Sequence, residues 1–127
     1  MAIKNGYRQL SDLFKALAHP IRVQILELVA QDESCVCHLA HLLHRPQPYI
    51  SQQLAVLRKA GLVVDRREGL LVFYRPAREE VQALMALGRL AMGQGAQPQP
   101  PFSPPNQTDP SCPCPKCRGR EREGICT

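Results

Sequence analysis

The chain has 127 residues, which suffices for one domain, and its hydrophobic content of 44% can supply a core. No run of 18 or more apolar residues occurs, so we expect no membrane-spanning helix and no membrane partner. The formal net charge of +5 is compatible with a polyanionic partner. The N-terminus lacks the apolar segment of a secretory signal, so we expect a cytoplasmic protein whose six cysteines stay reduced.

Apolar residues recur with helical spacing through the first half of the chain. One apolar stripe runs over residues 10–17, Pro20 suits the first turn of a second helix, and Ser34 is the expected N-cap of a short third helix. Pro48 lies in the first turn of a fourth helix, and Gly61 is placed to end it in a left-handed conformation. We therefore predict four helices in succession.

The periodicity changes after the fourth helix. The stretch LVVDRREGLLVFYR contains two β-prone runs joined by a charged turn with Gly69, which predicts a β-hairpin, and a last helix is expected after Pro76. From residue 93 onward the sequence carries eight of the twelve prolines, which is typical of a disordered tail. The predicted organisation is a folded domain over residues 1–92 and a tail over residues 93–127.

This order of elements predicts a winged helix-turn-helix, a mainly α fold with a small β-hairpin wing. In that fold the third helix braces the fourth, the fourth enters the major groove of DNA, and the wing reaches the neighbouring backbone or minor groove. The charge agrees with this prediction, because residues 45–75 contain six arginines or lysines and only two carboxylates. An ordinary solvated basic face is the alternative interpretation.

Three separated motifs, LAHPIRVQILELV, QPYISQQLAVLRKAGLV and DRREGLLVFYR, occur in the order found in the ArsR/SmtB family of bacterial metal-responsive repressors. The chain resembles that family over roughly residues 8–92. The resemblance implies a homodimer that pairs through its first and last helices and binds double-stranded operator DNA. It also implies a repressor that leaves its operator when an inducer binds, and not an enzyme.

Candidate DNA contacts lie on the fourth helix and on the wing. On the helix, amide side chains can make bidentate contacts with adenine and cations can neutralise phosphates, whereas the wing arginines suit phosphate or minor-groove contacts. For Gln52 and Gln53 an ordinary polar surface is the alternative, and many relatives have His in place of Gln53. The candidate contacts are Gln47, Tyr49, Ser51, Gln52, Gln53, Arg58, Lys59, Arg66 and Arg67.

Two cysteines, Cys35 and Cys37, begin the predicted third helix. Residues two apart lie about 200° apart around a helix axis, so the pair can share one ion only if Cys35 sits before the first turn. That position favours thiolate, the form that binds soft metals. The motif CVCHLA resembles the thiol motif of family members that sense arsenite, antimonite, cadmium or lead, which implies that both cysteines are metal ligands.

Two thiolates alone make an incomplete site. Some arsenite sensors of the family have a third cysteine where this chain has Ala40, and some cadmium and lead sensors draw cysteines from an N-terminus that has none here. The tail offers Cys112, Cys114 and Cys117 as metal ligands. Three hypotheses stay open: these thiols complete the site of the third helix, they bind a metal separately, or they are dispensable.

Histidines near the cysteine pair are a further open question. Cys37, His41 and His44 follow at helical spacing and form one polar stripe, which predicts either a mixed sulfur–nitrogen site or simple hydration of an exposed face. Hydration is the more economical interpretation. If histidines do bind, His38 and His41 are the candidates.

The predicted inducer is arsenite or antimonite first and cadmium or lead next, with no organic cofactor. The alternative is a repressor of the same fold that responds to cysteine oxidation or persulfidation. A thiol arsenate reductase is least favoured. Cys112 and Arg118 have the C-x5-R spacing of such enzymes, but Pro113 and Pro115 each lack the N–H donor that an oxyanion loop needs.

Overall fold

A computed structural model describes residues 2–95 of the protein, with side chains from residue 6 onward. The elements are α1 (Ala2–Leu17), α2 (Pro20–Gln31), β1 (Ser34–Cys35), α3 (Val36–Leu43), α4 (Gln47–Lys59), β2 (Val63–Glu68), β3 (Leu71–Pro76) and α5 (Glu79–Ala91). The predicted fold class is confirmed, and β1 is the one addition within this range. Among residues 2–95, no helix combines the length and apolar character of a membrane-spanning segment.

The hydrophobic core is built around α2. Ile21, Ile25, Leu28 and Val29, the stripe expected from helical spacing, are all buried. Leu39 of α3 is fully buried against the same cluster, together with apolar side chains of α4 and the start of β2. Each fully buried Leu or Ile contributes about 1.5–3 kcal/mol, so the packing of α3 and α4 on α2 fixes where both helices lie.

The start and end of α4 follow from local chemistry. Pro46 precedes its first residue with extended backbone, and a second proline lies in its first turn, where the missing N–H has no cost. At the other end Gly61 has φ +80°, its N–H donates to the Arg58 carbonyl at 3.0 Å, and the Leu62 N–H donates to the Leu57 carbonyl at 2.9 Å. This Schellman motif ends α4 as predicted and directs the chain into β2.

The turn between α3 and α4 is tight. His44 has φ +55°, a left-handed conformation rare outside glycine. Its N–H donates to the His41 carbonyl at 3.3 Å, and the Arg45 N–H donates to the Ala40 carbonyl at 3.0 Å. The same type of helix end therefore sets the angle between the two helices of the helix-turn-helix.

The wing belongs to a three-stranded antiparallel sheet with strand order β1-β3-β2. Glu68 pairs with Leu71, so the hairpin turn has two residues, and its first residue, Gly69, has φ +63°. Glycine at that position is what a type II′ turn requires. The wing is thus anchored by its central strand to the residues that precede α3.

The prediction that Ser34 caps α3 is wrong. Ser34 lies in β1, where its hydroxyl donates to the Asp32 carbonyl at 2.9 Å, and Cys35 occupies the N-cap position. A two-residue strand carries no periodic signal, and it forms because β3 offers an edge to pair with: Ser34 opposes Tyr74 and Cys35 opposes Phe73. The cysteine pair therefore begins at a strand–helix junction.

Two helices present apolar side chains to solvent in the single chain. The predicted α1 stripe is only partly buried, because Leu10 and Phe14 are 51% and 49% exposed. On α5, Leu87 and Leu90 are 63% and 54% exposed. Exposed apolar surface of this extent is typical of a surface covered by another molecule.

Polar contacts join α5 to α2. Glu27 and Arg89 form an ion pair whose side chains are both largely buried, and the Gln82 amide donates to the Ala30 carbonyl at 3.1 Å. Val81 adds an apolar contact with the core. The apolar face of α5 is consequently held in a fixed position relative to α2 and the core.

Candidate functional site

The outer face of α4 carries most of the predicted DNA contacts. Ser51, Gln52, Arg58 and Lys59 are exposed on this helix. Near its N-terminal end Gln47 and Tyr49 are partly exposed. The Arg45 guanidinium lies over the Tyr49 ring at 5.6 Å from its centroid, which holds a cation beside that end of the helix. This face presents amides, a hydroxyl and cations together.

Gln53 differs from the other predicted contacts. Its side chain is only 8% exposed, and its carbonyl oxygen accepts a hydrogen bond from Arg22 Nε at 2.8 Å. The same guanidinium donates to the Ala16 carbonyl at 3.2 Å. The predicted base contact by Gln53 does not fit this burial, because the side chain faces the junction of α1, α2 and α4.

Arg22 was not among the residues singled out in the sequence. Its partner lies 31 residues away, a separation that no local pattern links. One signal did exist: Ile50, Gln53, Leu54 and Leu57 follow the i, i+3, i+4, i+7 spacing of a buried helix face. A glutamine on that stripe requires a hydrogen-bonding partner inside the protein.

The end of α4 and the wing carry four predicted cations, Arg58, Lys59, Arg66 and Arg67. Arg58 forms an ion pair with Asp65 at 3.1 Å, and both side chains are exposed. Such surface pairs contribute about 0–1 kcal/mol, so a phosphate can replace Asp65 at little cost. Arg67 is exposed on β2 beside the hairpin turn. Both arginines are therefore available at the surface.

Arg66 is held differently. Its Nε and one terminal nitrogen donate to the two carboxylate oxygens of Glu33 at 3.1 and 2.6 Å, and its other terminal nitrogen donates to Glu68 at 2.8 Å. Its guanidinium also lies over the Phe73 ring, 5.1 Å from the centroid. These hydrogen bonds raise the pKa of Arg66 above its ordinary value. The predicted phosphate contact competes with three existing bonds.

The two cysteines before and within α3 come together. Cys35 has extended backbone at φ −91° and ψ 169°, outside the helix, and its Sγ lies 3.6 Å from Sγ of Cys37. This meets the condition set by helix geometry, since only a residue before the first turn can direct its sulfur toward that of its second neighbour. Both residues are buried, and Leu71 and Phe73 of β3 pack against them.

The sulfur separation fits one shared ion. Two thiolates bound at about 2.3 Å to a tetrahedral ion lie about 3.8 Å apart, close to the 3.6 Å observed. The observed separation of the sulfur atoms is much longer than the bond of roughly 2.05 Å that a disulfide between Cys35 and Cys37 would have. Cys37 is disulfide-bonded in this structure, so the pair can supply two ligands of a soft ion only after that disulfide is reduced.

The histidines of α3 are the next candidate ligands to consider. Within residues 2–95 no group of three or more His, Cys, Asp or Glu residues could hold a metal ion. His38 is fully buried, His41 is partly exposed, and His44 has left the helix in its left-handed conformation. Cys37 is buried as well, so the expected exposed stripe with His41 and His44 does not form.

The remaining predicted metal ligands lie outside the described residues. The tail segment over residues 96–127 contains Cys112, Cys114 and Cys117, and the boundary expected at residue 93 falls just before its start. The three hypotheses for these cysteines stay open. The site that the structure describes consists of Cys35 and Cys37 with their neighbours on β3.

This architecture defines a class: a winged helix-turn-helix DNA-binding protein with a thiol pair beside its wing. Comparison with known proteins agrees. The family described as "Bacterial regulatory protein, arsR family" matches residues 19–64. An uncharacterised HTH-type transcriptional regulator of Methanocaldococcus jannaschii is 40% identical over 82 residues, which are 64% of this chain and 92% of that protein.

Two further relatives carry more specific descriptions. The arsenic resistance transcriptional regulator ArsR1 of Pseudomonas putida is 48% identical over 64 residues, half of each chain. A homodimeric winged helix-turn-helix DNA-binding domain from Mycobacterium bovis, described as a possible ArsR-family regulator, superposes with a TM-score of 0.67. It is 37% identical, and the alignment covers 71% of this chain and 83% of that one.

The chain belongs to the ArsR/SmtB family of winged-helix transcriptional regulators. The family resemblance stated from the motifs is thereby confirmed, and so is the prediction that the protein is a DNA-binding regulator and not an enzyme. The identity of the inducer and of its ligands is a separate matter, which depends on the geometry of the thiol pair.

Proposed function

We propose that this protein is a cytoplasmic, homodimeric repressor that leaves its operator when a thiophilic metal or metalloid binds Cys35 and Cys37. The observation that carries the proposal is the 3.6 Å separation of the two sulfur atoms at the start of α3. The two sulfur atoms lie beside the helix that braces α4 and against the strand that carries the wing, which supports this proposal.

The dimer is supported by the apolar faces of α1 and α5. Phe14 and Leu10 on the first helix and Leu87 and Leu90 on the last are about half exposed or more in the single chain. A second copy that covers both faces would remove this surface from water. The Mycobacterium bovis relative is described as a homodimer, which supports the same assembly here.

We propose as DNA contacts those predicted side chains that are exposed or partly exposed and are not held within the protein as Gln53 and Arg66 are. In the dimer each α4 would enter one of two successive major grooves, with the wing over the adjacent backbone. Gln52 would contact a base and Arg67 a phosphate, whereas Gln53 and Arg66 are occupied within the protein. The full proposed set is Gln47, Tyr49, Ser51, Gln52, Arg58, Lys59 and Arg67.

The proposed inducers are arsenite or antimonite first, and cadmium or lead next, without an organic cofactor. Thiolates select soft ions of this kind, and the Pseudomonas putida relative is described as an arsenic resistance regulator. Because the two cysteines provide only two ligands, we propose that Cys112, Cys114 and Cys117 of the tail supply the rest. About 20 Pro-rich residues could extend on the order of 60 Å, so their reach is sufficient.

The proposed mechanism is linkage between two binding equilibria. An ion that binds more tightly to a geometry whose α4 helices do not match the DNA grooves lowers DNA affinity by that ratio. DNA lowers ion affinity by the same factor. Couplings of this kind typically amount to about 5–150-fold.

The test is a titration of operator-bound protein, at fixed salt, with arsenite, antimonite, cadmium, lead, zinc and peroxide in parallel. The operator can be recovered by selection from a random-sequence library. Release of the wild type by at least one soft ion, and loss of that release in the Cys35→Ser/Cys37→Ser variant, are expected. A double variant that leaves its operator at the same dose of every ion would refute the proposal.

The role of the tail thiols requires its own variant. Replacing Cys112, Cys114 and Cys117 together by serine should weaken release by the same ions, whereas Cys126→Ser alone, another tail cysteine outside the C-x-C-x-x-C cluster, serves as the control. Unchanged release by the triple variant would show that Cys35 and Cys37 find their other ligands elsewhere.

The redox alternative makes a different prediction in the same titration. If oxidation or persulfidation is the signal, peroxide or a persulfide donor releases the wild type at doses where the soft ions do not. Mass spectrometry of the released protein would then locate the added oxygen or sulfur on Cys35 or Cys37.

A further inference from the structure

One cross-strand row joins the thiol pair to the wing. In the antiparallel sheet Cys35 of β1 opposes Phe73 of β3, and Phe73 opposes Arg66 of β2. Residues directly opposite each other in such pairs have side chains on the same face. Cys35 and Arg66 are therefore two strand spacings apart, about 10 Å, with only Phe73 between them.

Contacts along this row are continuous. Phe73 packs against the cysteine pair on one side, and the Arg66 guanidinium lies over its ring on the other. Arg66 also contacts the segment just before β1, because it donates two hydrogen bonds to Glu33, the residue that precedes Ser34 and Cys35. These contacts form a closed loop, which runs from Cys35 through Phe73 and Arg66 to Glu33 and returns to Cys35 along the backbone before α3.

An ion bound by both sulfurs must disturb this loop. Cys35 and Cys37 are 1% and 2% exposed, and Leu71 and Phe73 are among the side chains that pack against them. An ion and its remaining ligands need space beside the sulfurs, and protein interiors hold little spare volume. Displacement of the Phe73 ring would alter the stacking of Arg66 and the geometry of its two bonds to Glu33.

We infer that the Glu33–Arg66 pair is the coupling contact through which occupancy of the thiol site repositions the wing, so that Arg66 acts as a positioning residue and not as a DNA ligand. The inference rests on the proposed function and extends it, since it names the wing as the DNA-binding element on which the ion acts. The two-point geometry of a guanidinium with one carboxylate specifies orientation as well as distance, which suits this role.

The structure provides a matched control. Glu68 also accepts a hydrogen bond from Arg66, at 2.8 Å, but it lies on β2 itself and makes no link to β1. Glu33→Gln and Glu68→Gln each remove one negative charge beside the same arginine, so both change the net charge of the protein equally. Only Glu33→Gln weakens the connection between the wing and the thiol segment.

The experiment measures operator affinity with and without saturating arsenite, and in parallel with saturating cadmium, for wild type and both variants at fixed salt. The ratio of the two affinities is the coupling, and the affinity of each free protein for the ion is measured separately. Glu33→Gln is expected to reduce the coupling at least about threefold, within the range found for residues along coupled networks, while ion affinity is retained. Glu68→Gln is expected to retain the wild-type coupling.

A thermodynamic cycle adds a second criterion. The cycle compares Glu33→Gln, Arg66→Gln and the double variant. The loss of coupling in the double variant should not exceed the larger of the losses in the two single variants, because both substitutions break the same Glu33–Arg66 contact. Equal coupling in wild type and Glu33→Gln overturns the inference while leaving the proposed function intact, and so does an equal loss in both glutamate variants. Failure of every soft ion to release the wild type refutes the proposed function, and this inference falls with it.

Discussion

Gln53 provides the sharpest test of the structure, because it separates two roles for adjacent glutamines on α4. We predict that Gln53→Ala destabilises the protein and weakens binding to all DNA sequences alike, whereas Gln52→Ala alters base preference without loss of stability. The two substitutions remove the same atoms from neighbouring positions of one helix. They differ in that Gln53 is 8% exposed and bonded to Arg22, while Gln52 is exposed.

The magnitude follows from the contacts. Removing Gln53 deprives a partly buried guanidinium N–H of its acceptor at 2.8 Å, and hydrogen bonds to charged groups contribute about 1.5–3 kcal/mol. Arg22 keeps its bond to the Ala16 carbonyl at 3.2 Å, which offsets part of the loss. We therefore expect the free energy of unfolding to fall by about 2 kcal/mol. For Gln52→Ala it should stay within about 0.5 kcal/mol, as for other exposed positions.

The assay combines urea unfolding with DNA binding. Unfolding is compared at one protein concentration, because the stability of a dimer depends on concentration. Binding is measured on the operator and on operators with single base-pair changes, where loss of a bidentate base contact costs about 1–3 kcal/mol of discrimination at one position. If Gln53→Ala kept full stability and changed preference at a single base pair, Gln53 would be a base contact and its position in the structure would be wrong.

Two further predictions concern the helix end and the dimer. Gly61→Ala should lower the free energy of unfolding by about 1–2 kcal/mol in urea titrations, because φ of +80° is strained for a residue with a Cβ even though the space around it is open. Gly61→Asn should lower it less, since Asn tolerates the left-handed conformation better. Equal losses in the two variants would contradict the backbone explanation. Phe14→Glu on the half-exposed face of α1 should convert the dimer to a monomer in sedimentation experiments while far-UV circular dichroism stays helical, whereas Lys15→Glu should remain dimeric. A dimeric Phe14→Glu variant would place the interface elsewhere.

The helices and the hairpin could be predicted because their signals are local. A buried face repeats at helical spacing, as Ile21, Ile25 and Leu28 do on α2, and the positions of Pro48 and Gly61 mark the two ends of α4. These features depend on residues a few positions apart, where backbone sterics and amphipathicity act. Tertiary packing overrode such a signal at Ser34, the expected N-cap of α3, which instead pairs with β3 as part of β1.

Contacts between distant segments could not be predicted in the same way. The Arg22–Gln53 bond spans 31 residues and the Arg66–Glu33 pair spans 33. In the sequence Gln53 and Arg66 are polar residues of the basic region over residues 45–75, so the sequence predicts DNA contacts for both. The strand β1 was missed for a related reason, since two residues form a strand only when a neighbouring edge is present.

The sheet has two faces, and they connect the wing to different parts of the molecule. The row on one face runs from Cys35 through Phe73 to Arg66, and its far end is held by the two bonds to Glu33. The neighbouring row runs from Ser34 through Tyr74 to Asp65, which pairs with Arg58 of α4 through a single exposed contact.

This difference in attachment bears on how a signal could reach DNA. The wing is joined to the thiol segment by strand pairing, an aromatic contact and a two-point ion pair. The start of β2 packs in the core with α4, but beyond it the wing contacts α4 through one surface ion pair that a phosphate can replace. A displacement at the cysteines would therefore carry the wing with it and change its position relative to α4. Since a DNA site must fit both elements at once, a change in their relative position is sufficient to lower affinity, and no unfolding of either element is required.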